Sequence, residues 1–160
     1  MRRDAAPVVS RADAAARIAA WRAAGRTIVF TNGVFDILHP GHLRYLRRAR
    51  AEGDLLVVAV NADASVRANK GPSRPVHPAH ERAELLSALE PVDLVLVFDE
   101  PTPAEVIAAL QPDVLVKGAD WAADAIVGRD TVEARGGRVV RVDVEAGHSS
   151  SLLIEKARGA

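Results

Sequence analysis

The sequence contains no cysteine, which excludes both a disulfide framework and a thiolate metal site. Aromatic residues make up only 4% of the chain and the formal net charge is zero, so a basic, aromatic-rich surface for nucleic acid is not expected. The longest apolar run, residues 55–60, is far too short to span a bilayer. These absences favour a cytoplasmic protein that binds neither nucleic acid nor membrane.

The rest of the composition is that of an ordinary globular domain. Hydrophobic residues make up 49% of the 160 residues and charged residues 26%, enough for a substantial core. We therefore expect one domain over residues 1–160. Residues 1–25 form an N-terminal extension with an amphipathic helix over residues 11–24, because Ala14, Ile18 and Trp21 share one helical face and Gly25 follows.

Strand and helix patterns alternate along the whole chain. Apolar runs predict strands at residues 28–30, 55–61, 93–99, 113–118 and 138–144, and periodic segments between them predict helices. Continuous apolar strands are typical of a parallel sheet that is covered on both faces. The sequence thus predicts an α/β fold with a Rossmann-like, doubly wound sheet of five parallel strands.

Three local patterns give more detailed expectations. A helix over residues 80–89 should turn Leu85, Leu86 and Leu89 inward. Thr102, Pro103 and Glu105 have the spacing of a capping box at the start of another helix. Residues 61–78 are rich in proline, glycine and small polar residues, which predicts a long irregular loop with a short helical turn.

Two histidines follow the first strand closely. His39 is expected near the N-cap of a helix that starts at Pro40, and His42 in its first turn. A helix N-terminus carries unpaired N–H groups and a positive partial charge, so two imidazoles there favour a phosphate ligand. Gly41 between them lets a ligand approach the backbone. A single histidine at this position is more often a surface or capping residue.

Two further segments contain candidate phosphate ligands. Lys70, Arg74 and His77 lie in the 61–78 loop and could close over a triphosphate, although a solvated basic loop explains them equally well. Ser149 to Ser151 precede the last predicted helix, residues 152–158, where they offer hydroxyls and N–H groups to an anion. The alternative for these serines is plain helix N-capping.

Ligands of doubly wound sheets bind at the carboxyl ends of the strands, near the reversal of strand order. This rule selects residues 31–36, Asn61, Asp63, residues 117–121 and residues 147–151 as the candidate site.

Taken together, these segments resemble a known family. The stretches FTNGVFDILHPGH, GDLLVVAVNADASV, KGPSRPV, VFDEPTP and VKGADW are similar to those of nucleotidyltransferases with an HxGH motif. More closely they resemble the heptose 1-phosphate adenylyltransferases of bacterial lipopolysaccharide precursor synthesis. That resemblance implies transfer of AMP from ATP to a heptose 1-phosphate, with magnesium, giving ADP-heptose and pyrophosphate.

The resemblance also implies roles for individual residues. His39, His42 and Lys70 would be catalytic, and no metal ligand is expected among the side chains. Nucleotide-binding residues would be Thr31, Asn32, Gly33, Phe35, His39, Gly41, His42, Gly118, Asp120, Trp121, Ser149, Ser150 and Ser151, with residues 31–35 acting through backbone groups on the phosphates. Substrate-binding residues would be Asp36, Asn61, Asp63, Lys70, Arg74, Arg82 and Lys117.

Some features depart from the heptose pattern and keep other functions open. Val34 stands where these enzymes commonly have cysteine, and three serines stand where Ser-Thr-Thr is common. Val144 occupies a position where glycerol phosphate cytidylyltransferases have arginine, which weakens a reading as a cytidylyltransferase for a small alcohol phosphate. A nucleotide-binding module without turnover is the third alternative. The resemblance is also compatible with a homodimer and with a separate heptose kinase.

Overall fold

The computed structural model describes residues 4–144 and 147–159. Its five strands are β1 Ile28–Gly33, β2 Leu55–Asn61, β3 Leu94–Phe98, β4 Val114–Gly118 and β5 Arg138–Val142. Its helices are α1 Arg11–Ala23, α2 Pro40–Arg50, α3 Asp63–Lys70, α4 Ala79–Ser87, α5 Ala104–Leu110, α6 Arg129–Glu133 and α7 Ser150–Gly159, with a 3₁₀ turn at Ala123–Ala125. The predicted domain over residues 1–160 and its extension lie partly outside the described residues and stay predictions.

All five strands are parallel and their order in the sheet is β3-β2-β1-β4-β5. The chain moves outward from β1 in one direction through β3 and then crosses back to place β4 on the other side of β1. The predicted doubly wound α/β fold is therefore confirmed. The reversal of strand order lies between β1 and β4, where their carboxyl ends form a crevice.

Each face of the sheet has its own hydrophobic core. One core joins Leu46 and Ala49 of α2 and Ala83 and Leu86 of α4 to one set of strand residues. The other core joins α1, α5 and α6 to the opposite set, which includes Phe30 of β1. Alternate residues of a strand point to opposite faces, so every strand contributes to both cores. This double coverage explains the continuous apolar runs in the sequence.

Three aspartates fix the register of neighbouring strands by the same reciprocal contact. Asp93, just before β3, donates its backbone N–H to the Leu56 carbonyl at 2.9 Å and accepts the Leu56 N–H on Oδ2 at 2.7 Å. Asp54 pairs in this way with Thr27, and Asp113 with Ile28. Each aspartate therefore caps a strand start that would otherwise leave a backbone donor unpaired.

Three local expectations were wrong. Residues 63–70 form the two-turn helix α3, which is anchored because Ser65 and Val66 are buried, so the 61–78 segment is less irregular than its composition indicates. Leu85 is 47% exposed, because α4 turns Arg82, Ala83 and Leu86 toward the sheet instead.

The capping box before α5 is the third of these. Pro103 occupies the N-cap position and α5 begins at Ala104, one residue later than expected. The Ala104 N–H reaches back to Thr102 Oγ1 at 3.4 Å, two residues away, because proline at the cap shifts the start of the helix. Thr102 is thereby left at the edge of the crevice.

We predict that Asp93→Ala lowers the free energy of unfolding by about 2 kcal/mol, because the buried Leu56 N–H loses its acceptor. Asp93 is 6% exposed and its Oδ2 also contacts Arg50 Nε at 2.8 Å, so the arginine loses its partner as well. Asp93→Asn, which keeps an acceptor oxygen, should lose less. Urea denaturation measures both, with Asp143→Ala at an exposed position as the control. Equal stability of Asp93→Ala and wild type would contradict the capping role.

Candidate active site

A cavity of about 690 Å³ opens at the carboxyl ends of β1 and β4, where the strand order reverses. Its wall contains nearly all the residues that the sequence singles out, from segments as distant as β1 and α7. Among the residues given catalytic or binding roles the exceptions are Thr31, Asp63 and Arg82, and His77, Ala119 and Gly147 of the wider selected segments do not line it either. The rule about strand ends therefore located the cavity, and three of the expected contacts need another explanation.

The two histidines of the motif cap α2 reciprocally. His39 is the N-cap, and its Nδ1 accepts the backbone N–H of His42 at 3.4 Å, while His42 Nδ1 accepts the N–H of His39 at 3.3 Å. A ring nitrogen that accepts a hydrogen bond carries no proton, so each neutral ring holds its proton on Nε2. The capping alternative is thus correct, and it leaves an Nε2–H donor on each of two rings that line the cavity.

Both rings are held in the neutral form. Burial, with a smaller contribution from neighbouring His39, lowers the pKa of His42 to about 4. Burial also lowers the pKa of His39, with a second contribution from His148. The rings of His39 and His42 stack with centroids 3.8 Å apart, and the His148 ring lies 5.9 Å from that of His39. An anion in the cavity would favour protonation of this stack and would be bound by it.

Gly41 allows the N-termini of α2 and α7 to approach each other. A Cβ at this position would lie 2.8 Å from His148 Cβ and 2.9 Å from His39 Nδ1. A side chain would therefore push His148 away from the histidine pair. The glycine of the motif is required here by close packing between two segments more than a hundred residues apart, as well as by access for a ligand.

The serines of the last motif are engaged in local contacts. Ser149 caps α7 by accepting the Leu152 N–H at 3.0 Å, and Ser150 Oγ donates to the Ile37 carbonyl at 2.9 Å. Ser151 Oγ lies 3.5 Å from Arg74 Nη1. All three line the cavity. Their hydroxyls thus hold α7 against the loop after β1, and the start of α7 faces the histidines.

Asp36 anchors the segment that contains Arg74. Its carboxylate accepts Arg74 Nε at 2.7 Å and the backbone N–H groups of Val76 and His77 at 2.9 and 3.0 Å. Burial raises the pKa of Asp36, but these hydrogen bonds and the arginine charge outweigh it and leave the pKa below its ordinary value. Asp36 lines the cavity, and its oxygens position this basic segment; binding of sugar hydroxyls by Asp36 stays a prediction.

Arg82 was expected to contact a phosphate, but the structure buries it completely. Its guanidinium donates to the carbonyls of His77 and Val34, both at 2.8 Å, and to Asp63 Oδ1 at 2.7 Å. Arg82 and Asp63 therefore satisfy each other away from the cavity wall. Because these bonds join the loop after β1, the start of α3 and the segment before α4, Arg82 is a positioning residue.

Thr31 is the third expected residue that lies off the wall. It is fully buried, and its hydroxyl bonds to the Tyr45 hydroxyl at 2.8 Å. Tyr45 also donates toward the Val116 carbonyl at 3.3 Å, so it links α2 to β1 and β4. Burial raises the pKa of Tyr45 to about 12, which keeps this link protonated. Through Tyr45, Thr31 thus stabilises the position of α2, the helix that carries the two histidines.

Lys117 supplies a cation at the end of β4. Burial lowers its pKa to about 8, although the charge of nearby Asp120 acts in the opposite direction. Its Nζ lies 5.7 Å from the centre of the Trp121 ring, and that ring is 52% exposed. Lys117 can thus change its charge just above neutral pH. An exposed tryptophan beside it offers a surface on which a flat ring can stack.

Protein side chains offer little for a metal ion. Within residues 4–144 and 147–159 no three histidine, aspartate or glutamate side chains come close enough together to hold one. A divalent cation at this site would therefore take most of its ligands from the phosphates of a bound nucleotide and from water.

Sequence reasoning missed several residues of the cavity wall. Those missed are Tyr45, Asn69, residues 101–103, Ile126, Val127 and Val144, whereas Val34 and His148 fall within the selected ranges without a role assigned to them. His148 had a visible signal, since it directly precedes the serine run, and Val144 ends the last predicted strand. Ile126 and Val127 follow a turn with no motif, and only the packing of the 3₁₀ turn against the crevice brings them here.

Groups that can donate hydrogen bonds to a phosphate lie at two helix N-termini. They face a crevice where the strand order of a parallel sheet reverses, and a partly buried lysine adds a cation. This fold and this site define a nucleotidyltransferase. A family model described as cytidylyltransferase-like matches residues 30–156. The chain belongs to this cytidylyltransferase-like family, and the superfamily that the motifs indicate is confirmed.

The chain is similar to curated proteins named bifunctional protein HldE. It is 57% identical over 151 residues to the one from Azorhizobium caulinodans, which covers 94% of this chain and 32% of that protein. It is 56% identical over 137 residues to the one from Hyphomonas neptunium, covering 86% of this chain and 28% of that protein. The chain thus spans less than a third of the length of these relatives.

A solved structure is similar as well. It is described as the lipopolysaccharide core biosynthesis protein from Thermoplasma volcanium, with a TM-score of 0.66 and 32% sequence identity, and the match covers 76% of this chain and 99% of that one. The similarity thus extends over the sheet and the site together. In the described part of this chain, no helix has the length and apolar character needed to cross a bilayer.

We predict that His42 makes the ligand-free protein less stable in acid. Its pKa is about 4 in the folded protein and ordinarily 6.5, so the unfolded chain binds more protons between these pH values. The stability that comes from keeping His42 neutral is complete above pH 6.5 and is lost as the pH falls toward 4.

Thermal unfolding at about pH 7.5 and about pH 5 measures this effect. The Tm of the wild type should fall more between the two pH values than the Tm of His42→Asn, which cannot be protonated. His80→Asn, at an exposed position of α4, is the matched control and should behave like the wild type. An equal fall in all three proteins would contradict the assignment.

Proposed function

We propose that this chain transfers the adenylyl group of ATP to D-glycero-β-D-manno-heptose 1-phosphate, giving ADP-heptose and pyrophosphate. The observation that carries the proposal is the paired Nε2–H donors of His39 and His42 opposite the start of α7. The similarity to proteins named HldE and to a lipopolysaccharide core biosynthesis protein supports the choice of substrates. The stretches VFDEPTP and VKGADW support it further.

The reaction needs little covalent chemistry from the protein. An oxygen of the sugar phosphate attacks the α-phosphorus of ATP, a new P–O bond forms, and the bond to the β-phosphate oxygen breaks in line with it. The attacking phosphate is already largely ionised at neutral pH, so no general base is required. Catalysis therefore depends on positioning and on donors aimed at the charge that develops in the transition state.

The charged residues of the wall divide this work. His39 and His42 donate to the triphosphate and to the oxygens of the pentacoordinate phosphorus. Lys70 and Arg74 balance the charge of the sugar phosphate and of the departing pyrophosphate, and Arg74 is held for this by Asp36. The backbone N–H groups at the start of α7 close the far side of the triphosphate. Gly118, Asp120 and Trp121 border the ribose and the base.

The surroundings of the reaction belong to the same proposal. Magnesium enters as the complex with ATP, where it neutralises phosphate charge. The relatives are described as bifunctional, and we infer that a heptose kinase in another domain or chain supplies the heptose 1-phosphate. We further propose that the reaction takes place in the cytoplasm, where ATP is available, and that the chain forms a homodimer.

The first test is a pyrophosphate-release assay with ATP, CTP, GTP and UTP against β- and α-heptose 1-phosphates and glycerol 3-phosphate. We expect turnover confined to ATP and the β-anomer. In His42→Ala, kcat should fall by about 100- to 1,000-fold, since one transition-state donor is lost. His80→Ala should retain wild-type turnover, and circular dichroism should show that both variants are folded.

Other outcomes of this assay would replace the proposal. Turnover with CTP and glycerol 3-phosphate would establish the cytidylyltransferase that the family description also allows. Tight ATP binding by calorimetry without pyrophosphate from any acceptor would indicate a nucleotide-binding module. Full turnover in His42→Ala would exclude the mechanism.

We also predict a pH limit set by Lys117. Its charge is lost as the pH rises through about 8, so kcat/KM for the sugar phosphate should fall above that pH. Lys117→Arg keeps the charge at all assay pH values, so its kcat/KM should not fall above about pH 8. Lys117→Gln should have a low kcat/KM at every pH. Steady-state kinetics from about pH 6.5 to about pH 9.5 measures the profile. If kcat/KM of Lys117→Arg falls above about pH 8 as in the wild type, the fall is caused by another group.

A further inference from the structure

The side chain of Asn32 carries an unexplained polar atom. Its Oδ1 is buried, and within the described residues 4–144 and 147–159 it has no hydrogen-bond partner. Asn32 is the fifth residue of β1, and it lines the cavity. A buried acceptor without a donor is unfavourable, and such an atom calls for a specific explanation. A ligand that brings a donor to this point would satisfy it.

The chemistry of Oδ1 limits what that ligand group can be. An amide oxygen only accepts hydrogen bonds, so its partner must carry an O–H or N–H. The ionised phosphates of a nucleotide or of a sugar phosphate are themselves acceptors, and they cannot satisfy it. The expected phosphate contact of Asn32 through backbone groups therefore leaves its side chain unexplained. A hydroxyl group of a sugar has the required donor.

Asn32 lies on the opposite side of the sheet from the histidine helix. Phe30 packs in the core beneath α1 and α5, and Asn32, two residues on, points to the same face. Thr31 points the other way and contacts Tyr45 of α2. The cavity therefore spans both faces at the strand ends. One part is lined by the phosphate donors of α2, and the other contains the amide.

Two neighbouring strands add polar groups to the amide side. Asn61 follows Ala59 of β2 by two residues and Lys117 follows Leu115 of β4 by two, and both Ala59 and Leu115 belong to the core that contains Phe30. The register pairs Asn32 with Ala59 and Phe30 with Leu115, so Asn32 and Lys117 lie at the same level on adjacent strands, and Asn61 lies two residues further along β2. The Asn61 amide donates to Ser65 Oγ at 3.1 Å, and all three line the cavity.

This side of the cavity combines the amides of Asn32 and Asn61, which can bind hydroxyls, with the cation of Lys117. A sugar phosphate presents ring hydroxyls beside an anionic group, which is the complementary arrangement. We propose that Asn32 Oδ1 accepts a hydrogen bond from a ring hydroxyl of the acceptor sugar, and that Asn32 thereby selects the sugar. This inference rests on the proposed function for the identity of that sugar.

Stability of the ligand-free protein gives a test that does not need turnover. Asn32→Leu removes an acceptor that has no partner, so its Tm should rise by about 2 to 4 °C above the wild type. Asn61→Leu is the matched control on the next strand and the same face. Its amide has a partner in Ser65, so its Tm should fall. A purely structural role of Asn32 predicts a fall in both variants.

Kinetics of the same variants identify the ligand. Pyrophosphate release by the wild type with ATP and heptose 1-phosphate is measured first. Its absence would refute the proposed function independently of the role of Asn32. In Asn32→Leu and in the smaller variant Asn32→Ala, KM for the sugar phosphate should rise about tenfold or more, while KM for ATP stays within about twofold. If the wild type accepts another sugar phosphate, that acceptor replaces the heptose in the same comparison.

Two results would overturn the inference while leaving the proposed function intact. A rise in KM for ATP alone, reproduced in the wild type by 2′-deoxy-ATP or 3′-deoxy-ATP, would assign Asn32 to the ribose. Unchanged KM values together with a lowered Tm would make Asn32 a structural residue. A raised Tm together with a raised KM for the sugar phosphate is the combination that supports the inference.

Discussion

The site depends on the reciprocal cap that His39 and His42 form at the start of α2. This contact ends the loop after β1, fixes both Nδ1 atoms as acceptors and so leaves both Nε2 atoms as donors. Gly41 lets α7 approach the cap, and Tyr45 ties the same helix to β1 and β4. The same pair of rings thus caps α2 and presents two donors to the cavity.

The parallel sheet gives the cavity two chemically different sides. Side chains at successive positions of β1 point to opposite faces, so Thr31 supports the phosphate-binding helix while Asn32 faces the amide side. Anions are attracted by helix N-termini and imidazoles on one side, and neutral hydroxyls are matched by amides on the other. The ends of adjacent strands thus place both kinds of surface next to each other.

Patterns along the chain were sufficient for most features that depend on neighbours in sequence, although they missed helix α3 and placed the start of α5 one residue too early. The apolar runs and their alternation with helices predicted the sheet. The spacing of His39 and His42 predicted that both lie at the N-terminus of one helix. Prediction failed where neighbours in space decide. By periodicity Leu85 looks like a core residue. However, α4 turns Arg82 inward, because three oxygens outside this helix accept hydrogen bonds from its guanidinium. A sequence pattern carries no record of such distant acceptors.

The sequence by itself determined the α/β fold, the strand ends at which ligands bind and the motif that makes this chain a nucleotidyltransferase, because hydrophobic period and helix capping are local properties. Tertiary structure alone decided what each charged or polar side chain does. Asp36 and Arg82 position loops through hydrogen bonds to partners as many as 48 residues away. Asn32 is left with an unpaired oxygen, since burial and hydrogen-bond partners exist only once the strands and loops have packed together.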